Sequence, residues 1–158
     1  MKKIAIIFFS AFILVACKTE VKEEIVELHA NGKVKKVEHY QFKRGKKIVI
    51  REIEYYSTGE KKMEGEMLQN QRHGSWKSYY KSGKIWSEGF FKEGLREGNS
   101  VVYYETGTKR IEGNYEKGNR IGLWKFYDEK GQKIKEVTFA ADSIVSEEDF
   151  FHGIPFSQ

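Results

Sequence analysis

Few side chains in this sequence could carry out a reaction. Cys17 is the only thiol, and the histidines are four: His29, His39, His73 and His152. None of them shows ligand spacing of the H-E-x-x-H kind, so surface or turn histidines are expected and no metal site. Glu64, Glu88 and Glu112 recur at a fixed interval of 24 residues. Paired carboxylates can do acid–base work. However, a carboxylate repeated in every copy of a motif is expected to be structural, since a reaction centre occurs once. These glutamates are therefore expected to pair with Lys or Arg on adjacent strands. Glu147-Glu148-Asp149 reads as a solvated run. There is no G-x-S-x-G nucleophile turn and no phosphate-binding glycine loop. The expectation is no catalytic centre, no metal and no cofactor.

Two groups could bind rather than react. Arg72, Lys92, Arg96, Lys117 and Arg120 crowd one class of turn. On a single edge they would form a basic rim facing an anionic membrane or polymer; otherwise they are simply wet turns. The many aromatic rings could form a stacking platform for sugars or bases. The alternative is that they pack the core of a thin sheet.

The N-terminus carries an address. Lys2 and Lys3 precede a run, Ile4 to Val15, that is apolar apart from Ser10, and Leu14-Val15-Ala16-Cys17 ends it. A helix of about a dozen residues rises roughly 18 Å, short of the ~30 Å hydrocarbon core, so a secretory signal fits better than a permanent span. The stretch LVAC resembles the lipobox of bacterial lipoproteins. That resemblance implies cleavage before Cys17 and a lipid anchor on it, in the cell envelope. Lys18 after the cysteine points to the outer membrane if there are two. With Cys17 acylated no cysteine remains for a disulfide. Loss of Lys2 and Lys3 leaves 26 basic against 23 acidic residues. That balance is too modest to suggest nucleic acid.

The elements that position these residues follow from an internal repeat. YYSTGEKKMEGEMLQNQRHGSWKS starts at Tyr55, and ungapped copies begin at Tyr79, Tyr103 and Tyr127, the last decaying after Phe139. Gly59, Gly83, Gly107 and Gly131 form one column. Gly65, Gly89 and Gly113 form a second, which Val137 breaks. Gly74, Gly98 and Gly122 form a third. Trp76 and Trp124 match around Ser100, and Tyr80 and Tyr104 also align. Each copy reads strand, turn, strand, turn, with glycine at positive φ in the tight turns. Alternation places Trp76, Ser78 and Tyr80 on one side and Lys77 and Tyr79 on the other. Glycines within strands are expected to make room for a neighbouring Trp or Tyr ring.

The fold class expected is all-β: one elongated antiparallel meander of repeated hairpins, with an N-terminal signal helix and a short C-terminal cap. Four to five hairpins would extend roughly 40–50 Å. The boundaries are 1–16 for the signal, 17–27 for lipidated Cys17 and tether, 28–139 for repeats and 140–158 for the cap. Within the repeats, 28–54 is degenerate, 55–78, 79–102 and 103–126 are full, and 127–139 is partial. A short helix near Asp142 to Phe150 is expected, with Asp142 or Ser143 as N-cap.

The G-x-x-x-x-E-G segment, second turn and G-x-W with a paired aromatic are similar to the bacterial variant of MORN repeats. The resemblance covers roughly residues 28 to 139. Departures are Ser100 for tryptophan, Asp128 for the second tyrosine and Val137 for glycine. The same variant occurs in antitoxin-like proteins, and eukaryotic MORN proteins are associated with membrane lipids and scaffolding. Three functions are therefore weighed. The first is a membrane-anchored, non-catalytic module binding an envelope protein or anionic polymer. The second is an antitoxin or immunity-like protein that neutralises a toxin. The third is an enzyme acting on envelope glycans.

Overall fold

The computed structural model describes residues 20–150. The signal segment, Cys17 and the tail from residue 151 lie outside them. Eleven strands follow in chain order: β1 (Lys22–Leu28), β2 (Val34–Lys43), β3 (Lys46–Tyr55), β4 (Lys61–Leu68), β5 (Gln71–Tyr79), β6 (Ile85–Lys92), β7 (Leu95–Tyr103), β8 (Lys109–Glu116), β9 (Asn119–Tyr127), β10 (Lys133–Ala140) and β11 (Ser143–Asp149). They form one open sheet in the order β1 to β11, each strand antiparallel to its sequence neighbour. This is the all-β meander expected. Ten inter-strand steps of about 4.8 Å make it roughly 48 Å across.

Two turn types alternate. At one edge Tyr56 N donates to Glu60 O (2.8 Å) and Gly59 N to Tyr56 O (2.9 Å), a pattern repeated around Gly83, Gly107 and Gly131. At the other edge the turn is two residues with both φ positive: Gln69-Asn70, Glu93-Gly94, Lys117-Gly118. That is the primed turn whose twist suits a hairpin. The third glycine column does not make these turns. Gly74, Gly98 and Gly122 have positive φ but lie inside β5, β7 and β9. Pairing jumps there from Gly65↔Trp76 to Glu66↔His73, so the glycine absorbs a bulge rather than making the turn.

Two further expectations are corrected. Residues 22–27 are not a loose tether; they belong to β1, which pairs with β2 from Lys22↔Tyr40 to Leu28↔Val34. The segment after Asp142 is not a helix but β11, paired with β10. Ala141 and Asp142 take φ of 48° and 68°, making the same two-residue turn, so Asp142 turns a hairpin instead of capping a helix.

A one-layer sheet has little interior. The buried apolar residues are Val37, Ile53, Trp76, Val101, Trp124, Val137 and Phe139, and no large side chain among the described residues is less than 2% exposed. The strand glycines supply what depth there is. A Cβ on Gly65 would stand 2.2 Å from Trp76 Cδ2, and one on Gly113 2.2 Å from Trp124 Cδ2. The indole rings lie where side chains would have been, as the sequence pattern suggested.

Candidate binding face

Cross-strand register divides the repeated residues between two faces. On one, Glu64 faces Lys77, which faces Glu88; further along, Glu112 faces Lys125, which faces Glu136. Val101 stands between Glu88 and Glu112. The last residues of β5, β7 and β9 reach back to this row. Tyr79 Oη donates to Glu64 (2.5 Å), Tyr103 to Glu88 (2.6 Å) and Tyr127 to Glu112 (2.6 Å). Arg51 and Lys61 also pair with Glu64, and Lys109 with Glu112 at 2.7 Å.

Burial alone would push the Glu64 carboxyl up, but hydrogen bonds from Tyr79, Lys61 and Arg51 outweigh it and hold it at about 2. Burial and the Glu64 hydrogen bond raise Tyr79 to about 12. Tyr103, through its bond to Glu88, and Tyr127, through burial and Glu112, are also raised to about 12. The Glu112 carboxyl lies below its ordinary value because of Lys109 and Tyr127. The glutamate column is thus neutralised within the sheet.

The other face carries cations of a different kind. Phe91 pairs with Arg96 across β6 and β7, and Tyr115 with Arg120 across β8 and β9. The Arg72 guanidinium lies 4.2 Å from the Trp76 ring centre and 5.6 Å from that of Phe91. Arg96 sits between Phe91 (5.4 Å) and Tyr115 (5.3 Å), and Arg120 lies 4.1 Å over Phe139. Guanidinium and ring alternate along the sheet, an arrangement favoured by the ring quadrupole. Arg120 Nε also bonds Asp142 Oδ1 at 2.7 Å. Among the described residues, Arg72 and Arg96 pair with no carboxylate: Arg72 Nη2 meets Met63 Sδ at 3.4 Å and Arg96 Nη1 meets Ser100 Oγ at 3.3 Å.

The five basic positions singled out in the sequence therefore separate. Arg72, Arg96 and Arg120 are the second residues of β5, β7 and β9, just past the two-residue turns at one edge, and share one face. Lys92 closes β6, and Lys117 lies in a turn where its N–H donates to Glu97. Phe91, Tyr115 and Phe139 were not singled out. Their 24-residue spacing was visible, but only the strand register shows that they fall beside the arginines.

A row of tryptophans runs next to these cations and is broken once. Trp76 and Trp124 cover Gly65 and Gly113; at the equivalent place Ser100, 6% exposed, faces Gly89. Tyr115 and Trp124 meet edge to face at 5.0 Å. A groove of about 310 Å³ opens here, lined by Arg96, Ser100, Val102, Ile111, Tyr115 and Trp124 among others. Trp76 Nε1 donates to Glu66 O at 2.9 Å, whereas the buried Trp124 indole N–H has no acceptor among the described residues.

The MORN repeat variant matches residues 72–93, 96–117 and 120–141. Each match begins on one of the stacked arginines and spans the hairpin that follows. No curated protein matches the chain significantly. With hairpins β5–β6, β7–β8 and β9–β10 each corresponding to one match, the chain carries three consecutive MORN repeat variants within a longer sheet.

Proposed function

We propose that this protein is a lipid-anchored envelope protein whose sheet is a non-catalytic module for binding an envelope protein or anionic polymer. The observation that carries the reading is the difference between the two faces. On one, the repeated glutamates are matched by Tyr, Lys or Arg. On the other, Arg72 and Arg96 are held on rings without a carboxylate partner among the described residues. An ordered cation lacking its own counter-ion on an open face attracts one from outside. LVAC ending at Cys17, after two lysines and an apolar run, supports the anchor.

Labelling cells with palmitate and fractionating them tests the first half. Wild type should take up label and sediment with membranes, and Cys17→Ala should lose the label; equal labelling of both would exclude the anchor. For the second half, the full chain purified in detergent is presented to envelope extract. Captured material should fall with Arg72→Gln/Arg96→Gln and persist with Glu88→Gln. Capture indifferent to the arginines would refute a role for this face.

A further inference from the structure

The groove lined by Ser100 lies at the copy that the tryptophan column skips. Its neighbours each set an indole on the opposing strand, whereas Ser100 sets only a hydroxyl against Gly89: a Cβ there would meet Ser100 Oγ at 3.3 Å and Ser100 Cβ and Asn99 O at 3.5 Å. The groove, about 310 Å³, lies at the small end of the range that ligand pockets occupy. Val102 and Ile111 make it aliphatic, and Tyr115 and Trp124 make it aromatic. Both lining arginines are cationic, but they are not equivalent. Arg120 is committed to Asp142. Arg96 is gripped between Phe91 and Tyr115 and spends one donor on the Ser100 hydroxyl, leaving the rest of its fork without a partner among the described residues.

A guanidinium fixed by two rings loses little freedom on accepting a planar, bidentate anion. A carboxylate fits that fork. The adjoining apolar walls ask for C–H groups on the same molecule, and a pyranose ring presents them on its faces. We propose that this groove binds a single carboxylated sugar unit, a uronate, of an acidic polysaccharide, with the carboxylate on Arg96 and the ring against Tyr115 and Trp124. This names the ligand class of the binding module proposed above and rests on that reading. A phosphorylated headgroup would use the cation but not the apolar walls.

Calorimetry on the full chain in detergent, with trigalacturonate as probe, tests the proposal. Galactotriose and glycerol 3-phosphate serve as the uncharged and phosphate controls. Trigalacturonate should bind and both controls should bind more weakly by about tenfold or more, the size expected for one charge-assisted pair. Ser100→Trp should abolish the binding while the β-sheet circular dichroism is retained. Arg96→Gln should weaken it about tenfold, and carries the decision if Ser100→Trp does not fold. No heat with trigalacturonate, equal binding of glycerol 3-phosphate, or undiminished binding by folded Ser100→Trp overturns the proposal. Capture of an envelope component without trigalacturonate binding would sink the sugar alone. Trigalacturonate binding without palmitate on Cys17 would sink the anchor alone.

Discussion

Glycine and tryptophan act as a pair, and the pair can be broken at either residue. Gly113→Ala places a methyl 2.2 Å from the buried Trp124 ring, and Gly65→Ala does the same under Trp76. Each should cost about 1–3 kcal/mol by urea unfolding, the usual scale for overpacking. Gly89→Ala meets no ring, only Ser100 Oγ at 3.3 Å and Ser100 Cβ and Asn99 O at 3.5 Å, and should cost less than either. Equal losses at all three would show that the cost is backbone conformation and not the ring.

Glu64 makes a second prediction at this scale. Its folded pKa, about 2, lies below the ordinary 4.5, so its contribution is complete above pH 4.5 and is lost as pH falls toward 2. Tyr79 is raised from 10.0 to about 12, so its contribution is complete below pH 10 and is lost as pH rises through 12. Unfolding free energy should therefore drop below pH 4.5 in wild type and drop less steeply in Glu64→Gln. Parallel curves for the two proteins would remove Glu64 from the acid response.

At the scale of elements, neighbouring hairpins are stapled at one edge. Tyr56, Tyr80 and Tyr104 each donate a hydroxyl to the backbone carbonyl 23 residues on, Tyr79, Tyr103 and Tyr127, at 2.7–2.8 Å. In the degenerate first copy, His29 Nε2 bonds Tyr55 O at 3.0 Å and takes the same part. Tyr80→Phe should lose about 0.5–1.5 kcal/mol and quicken amide exchange at the turn around Gly83. Unchanged exchange there would deny the staple.

The hairpins themselves were legible because glycine columns and alternating aromatics recur at a fixed spacing. β1 and β11 were not, for a physical reason. KEEIVEL and SIVSEED are exposed along their whole length and hold their place through backbone pairing and exposed ion pairs such as Lys47–Glu24 and Lys135–Glu147. No burial pattern therefore marks them as strands. The stacked arginines were hidden for a related reason: Arg96 sits five residues from Phe91 in sequence, and the hairpin turn alone makes them opposite partners. The place of Gly74 in a bulge was not legible either, because positive φ serves a bulge and a turn alike.

For the whole molecule, each strand needs only its sequence neighbours, so the sheet is close to one-dimensional and, among the described residues, ends in two unpaired edges. Those edges invite further pairing unless something opposes it. β1 carries Glu23, Glu24 and Glu27, and β11 carries Glu147, Glu148 and Asp149, while Ile144 and Val145 are well exposed. Like charge is expected to keep one molecule's edge from adding to another's. Glu147→Gln/Glu148→Gln/Asp149→Asn should raise the association seen by light scattering at neutral pH and low salt. Unaltered scattering would mean that charge does not protect this edge.

The most direct test of the account is the equilibrium unfolding free energy of Ser100→Trp. If the groove is a vacated slot in a repeating lattice, an indole at residue 100 should lie on Gly89 as Trp76 lies on Gly65. Burying it should leave stability unchanged or raise it by about 1–2 kcal/mol. A loss of about 1 kcal/mol or more, the mark of overpacking, would contradict the equivalence of the repeats on which the fold, the groove and the binding face all depend.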